Sequence, residues 1–264
     1  MKIAANLVCS AALCVATSTA PPASAQQSPD VLGFRLGMTY PEVKARIAEL
    51  KLQVAHDGVV EIKGLSGSSF RPLVDANDVG PKGLGPSGSL SFSFSAPPSE
   101  SRLIGVTRTV NYDRSAVVGQ QNPLKGTASS GAATNAALVQ KFGKPTASNP
   151  ELGRMRWIWA PNGNLLSRDP GTPCQSLAGD FLPRAPARGI FDHQKRVIDA
   201  GCGTFVEVNV TVDSAGVVTN IDQMAVDVAG GDRAKRLTAN AMRDSAAKQD
   251  GEGQERATKQ KPSI

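Results

Sequence analysis

The stretch Val206-Glu207-Val208-Asn209-Val210-Thr211-Val212, then Asp213-Ser214-Ala215-Gly216, then Val217 to Val226, sets the architecture. Valine alternates with polar residues, the period-two pattern of a strand with one face buried and the other in water. The four-residue turn sends the chain straight back, so the two strands pair antiparallel rather than through a crossover. The same pattern recurs upstream. Leu90, Phe92 and Phe94 alternate with serines, the turn Ala96-Pro97-Pro98-Ser99-Glu100-Ser101 follows, and Ile104, Val106 and Val110 mark the returning strand. Arg154 to Ala160 is a further strand, with Met155, Trp157 and Trp159 on one face and Arg154, Arg156 and Ile158 on the other.

Two helices separate these strands. In Gly37-Met38-Thr39-Tyr40-Pro41-Glu42-Val43, Thr39 is a good N-cap and Glu42, three residues on, completes a capping box. Pro41 is tolerated in the first turn, and Val43, Ile47 and Leu50 form one apolar stripe, which predicts a helix over 40–51. A second helix is expected over 133–142, where Leu138, Val139 and Phe142 are apolar and Gly143 and Pro145 stop it. Val59 to Lys63 reads as a short strand. Residues 64–88 are more than half Gly, Ser and Pro and read as a long mobile loop; residues 161–203 read as a second excursion. From Asp232 a polar helix begins, and 251–264 read as a disordered tail. The expected fold is α+β: antiparallel sheet with helices packed on one face, either as one sheet or as two tandem helix-plus-strands units over 26–125 and 126–250.

The chain has 264 residues and a formal charge of +6, with four Cys, two His and two Trp. Residues 1–25 have the pattern of a signal peptide: Lys2, an apolar stretch from Ile3 to Ala16, and Ala23-Ser24-Ala25 before Gln26. That stretch falls short of the ~20 apolar residues of a spanning helix, and no later run reaches that length. Cleavage between Ala25 and Gln26 would deliver the protein to the periplasm or outside the cell. It would remove Lys2, Cys9 and Cys14, leaving +5 and only Cys174 and Cys202. In an oxidising compartment these two pair with each other, and a redox-active pair would want the C-x-x-C spacing they lack.

Leu36-Gly37-Met38-Thr39-x-x-Glu42-Val43 resembles the helix start of small exported envelope proteins of the SmpA/OmlA and beta-lactamase-inhibitor-protein-like group. Phe142-Gly143-Lys144-Pro145 is similar to the Gly-x-Pro helix exit of such modules. The resemblance covers about 15 residues and is partly what helix capping alone requires. It implies a modular α+β fold and contact with another protein, and it transfers no functional residue.

Chemical signatures are few. Gly83-Leu84-Gly85-Pro86-Ser87-Gly88 spells GxGxxG but leads into a strand, not a helix, with Pro86 inside it, so it is no dinucleotide site. Ser245-Ala246-Ala247-Lys248 lacks the partner strings of penicillin-recognising enzymes. No motif calls for a cofactor, and two histidines rule out a histidine-rich metal centre. Basic residues are dispersed among acids, which argues against nucleic acid and leaves an envelope protein or an anionic envelope polymer as partner. Three functional readings follow. The first is a non-catalytic binding module of the cell envelope that uses its sheet face or long loops. The second is an envelope hydrolase using His193, which lies between the two cysteines; His56 reads as an exposed loop residue. The third is a small-ligand carrier with Trp157 and Trp159 lining the site, against the plainer reading that both indoles are core.

Overall fold

The computed structural model describes residues 29–62, 65, 68–79, 87–112, 129–170, 174 and 201–259. Its centre is one antiparallel sheet of eight strands. In chain order the sheet strands are β3 (Gln53–Asp57), β6 (Leu73–Val79), β7 (Ser87–Phe94), β8 (Leu103–Asn111), β9 (Ala147–Asn149), β10 (Arg154–Trp159), β11 (Thr204–Val212) and β12 (Val218–Asp227). Two hairpins stand apart from it, β1 (Asp30–Val31) with β2 (Phe34–Arg35), and β4 (Val60–Glu61) with β5 (Ser69–Phe70). The helices are α1 (Tyr40–Glu49), α2 (Gly131–Phe142) and α3 (Val228–Lys259).

The spatial order is β3-β6-β7-β8-β12-β11-β10-β9. Each half is a helix followed by four sheet strands, and each half places its first strand outermost and its last at the centre. The halves meet where β8 pairs with β12, from Gly105↔Val226 to Asn111↔Asn220. Of the two arrangements open from sequence, the strands therefore form one continuous sheet, built from two helix-plus-strands units.

The valine pattern falls as its period requires through Val210, whereas Val212, at a register shift in β11, is exposed. Val206, Val208 and Val210 share a face with Met155, Trp157, Ala225, Val106, Phe92, Leu90 and Val74, and all belong to the main core. Helices α1 and α2 lie on this face. α1 inserts Val43 and Ile47 and begins with the expected capping box, both reciprocal Thr39–Glu42 bonds being present. α2 contributes Leu138 and Phe142 and ends at Gly143, whose φ of 82° a side chain would strain. The β1–β2 hairpin joins the cover through Val31 and Phe34, the latter 4.5 Å from the Phe92 ring. Arg46 of α1 donates to the Leu32 carbonyl, and Lys141 of α2 pairs with Asp30 at 2.9 Å, so both helices are tied to this hairpin. At the β3 edge, Asp57 accepts from the Tyr40 hydroxyl and pairs with Arg71 at 3.0 Å. Burial and that hydrogen bond push the Tyr40 phenol above its usual range.

Three expectations are corrected. Residues 64–88 are not one loop, because β5 and β6 lie within them. β6 alternates Val74 and Ala76 inward against Asp75 and Asn77 outward, and the outward polar residues hide the strand. His56 lies on edge strand β3 rather than in a loop, although it is exposed as expected. The polar helix continues through 251–259, where Glu252–Arg256 and Glu255–Lys259 pairs at i,i+4 support it. Cys174 and Cys202 are joined and buried, with Cα atoms 5.8 Å apart. They anchor a second cluster with Ile158, Phe205, Val226 and Val228 on the opposite side of the sheet. Among the described residues, no helix is long and apolar enough to cross a membrane.

Candidate functional site

The indole pair belongs to the helix-covered face. Trp157 is 0% exposed, its ring 5.2 Å from Phe142, and its indole N–H donates to the Gly143 carbonyl at 2.9 Å. Trp159 is half-buried against the same core. Trp157 thus fixes the exit turn of α2 and offers a ligand no surface, as expected where large aromatic areas are scarce. His193 and the signal-like residues 1–25 lie outside the described residues.

The opposite face is built differently. Strand pairing aligns its outward residues into rows that cross the sheet. The row nearest the disulfide, Leu73, Ser93, Gly105, Val226, Phe205 and Ile158, is largely apolar, and its last three members belong to the second cluster. The next row reads His56, Asp75, Ser91, Thr107, Met224, Glu207 and Arg156. The third reads Gln53, Asn77, Ser89, Thr109, Asp222, Asn209, Arg154 and Asn149, one polar residue from each of the eight strands. At a strand spacing of about 4.8 Å this row runs for roughly 30 Å.

The charges on these rows are held in place. Glu207, its side chain only 6% exposed, accepts from Arg156 Nε at 2.5 Å and lies 3.9 Å from Arg154. Arg156 also reaches Asp169 at 3.6 Å, and Arg154 donates to Asn209 Oδ1 at 2.9 Å. Asp222 accepts from Thr109 Oγ1 at 2.8 Å and from Asn220 Nδ2 at 2.7 Å. Across β8, β12 and β11 the surface dips into a trough of about 200 Å³ lined by Thr107, Thr109, Glu207, Asn209, Asp222 and Met224.

The row containing His56, Asp75 and Ser91 brings together three residue types used in nucleophilic catalysis, but in the wrong order. The Ser91 hydroxyl donates to Asp75, and the carboxylate stands between serine and histidine. In a hydrolase relay the imidazole must hold the serine proton and the acid must orient the imidazole. Among the described residues, no three His, Cys, Asp or Glu side chains are grouped to hold a metal ion.

Sequence reasoning did not single out Glu207, Asn209, Asp222 or Thr109. Their alternation with apolar residues was the available signal for an outward face, but only the register shows that they adjoin one another. The geometry therefore defines an α+β protein with one helix-covered sheet face and an opposite face whose two polar rows no helix or strand covers among the described residues. No family model, curated protein or solved structure matches the chain.

Proposed function

We propose that this is an exported, non-catalytic binding protein of the cell envelope that holds another envelope component against its open polar face. The carrying observation is the composition of the third row: Gln, Asn, Ser, Thr, Asp, Asn, Arg and Asn from eight strands, without Lys or Glu. Six of these eight side chains are short, and a face that only needs to stay hydrated gains nothing from that. A face that binds gains much, since short Ser, Thr and Asn side chains lose little rotamer entropy when a partner immobilises them. The Arg–Glu and Thr–Asp pairs are already ordered, which lowers that cost further. The signal-like residues 1–25 and the joined cysteines both support an oxidising compartment outside the cytoplasm.

A photo-crosslinking residue placed at exposed Ser89, on the third row, tests this in living cells against the same residue at Val139 on α2. A discrete adduct from Ser89 only, abolished by adding Thr109→Arg, is expected. Equal labelling from both positions, or none from Ser89, would overturn the reading.

A further inference from the structure

A second site, independent of the open face, lies where the β1–β2 hairpin, the ends of β10 and β11 and the start of α3 converge. It is a cleft of about 250 Å³ whose wall includes Pro29, Ala160, Gly203, Asp227, Gly230 and Arg233. That is below the ~300–1,000 Å³ of sites that take drug-sized ligands. A Cβ on Gly203 would lie 2.5 Å from the Ala160 carbonyl carbon, so that position tolerates no side chain, and one on Gly230 would lie 2.1 Å from Asp227 Oδ2 and displace that carboxylate.

Two opposite charges line this cleft without satisfying each other. Asp227 Oδ1 accepts the Gly230 N–H at 2.8 Å, which caps α3, while Oδ2 has no hydrogen-bond donor among the described residues. Arg233 is exposed, and its guanidinium forms no hydrogen bond or ion pair among the described residues. The two sense each other electrostatically without forming an ion pair, and burial pushes the Asp227 carboxyl up, as for a carboxylate short of a cation. A simple cation entering the cleft would be repelled by Arg233, and a simple anion by Asp227. A ligand carrying both charges a few ångströms apart satisfies both.

We infer that this cleft binds a small zwitterion, a free α-amino acid or a dipeptide, with its ammonium on Asp227 Oδ2 and its carboxylate on Arg233. The test is an amide NMR titration of the folded chain with glycine and with glycylglycine, using acetate and methylammonium as single-charge controls. Saturable shifts at Gly203, Gly230 and Arg233 in the millimolar range are expected, with each control at least about tenfold weaker. Asp227→Asn keeps an oxygen to cap α3, and Arg233→Ala removes only an exposed side chain; each should weaken glycine binding at least about tenfold while thermal unfolding stays cooperative. The inference is overturned if no saturable shift appears, if acetate or methylammonium binds as well as glycine, or if both folded variants bind like the parent.

Discussion

Asp227 combines two demands in one side chain, capping α3 and facing a partly desolvated cleft. Burial raises its carboxyl above the ordinary value of 3.8, against the Gly230 N–H and Arg233, which lower it. The native state therefore holds this proton more tightly than the unfolded chain. The associated stability is fully present below the unfolded pKa and is lost as pH rises through the native one. Asp227→Asn should accordingly gain stability relative to the parent as pH rises from acid to neutral, and should converge with it below about pH 4. Denaturant unfolding at a series of pH values reads this directly; a difference that shrinks toward neutral pH would contradict it. Glu42 runs the other way. Its bonds from the Thr39 backbone and side chain hold its carboxyl below the usual range, so its capping contribution is present at neutral pH and lost on acidification.

Elements were legible in the sequence in proportion to how one-sided their chemistry is. α1 announced itself through Thr39, Glu42 and the Val43–Ile47 stripe, β7 and β11 through alternation, and β8 and β12 as the apolar-marked runs returning from the turns. β6 and β3 did not, because Asp75, Asn77, Gln53 and His56 point to the open face and break any strand-like composition. The chemistry that makes that face a candidate site also concealed two of the strands that build it. Helix capping makes α1 testable: Thr39→Ala should cost about 1 kcal/mol, measured by urea unfolding, since it removes the Oγ1 that accepts the Glu42 N–H and leaves only the Thr39 N–H to Glu42 half of the box. α3 offers the opposite case. Beyond Ala241 its described side chains are exposed, apart from half-buried Ser245, so truncating the chain after Met242 should leave the melting temperature of the body unchanged. A fall of several degrees would show that the distal helix supports the sheet.

Across the whole molecule the described residues form two cores on opposite sides of one sheet, and these are secured differently. The larger is closed by α1, α2 and the β1–β2 hairpin; the smaller depends on the Cys174–Cys202 bridge between positions 28 apart. Loop entropy over that span predicts a loss of about 3–4 kcal/mol when both cysteines become alanine, measured by equilibrium unfolding. A negligible loss would mean that Ile158, Phe205 and Val226 hold the smaller core without the bridge.

The seam between β8 and β12 has a kinetic consequence. β8 is complete by Asn111, but its inner neighbour begins only at Val218. A chain delivered N-terminus first, from a ribosome or through a translocation channel, keeps the edge of its central strand unpaired until more than a hundred further residues have emerged. Closing so distant a pair is slow. A polypeptide with that topology stays threadable late into its own delivery, and its open edge is the place where a holding chaperone would find it.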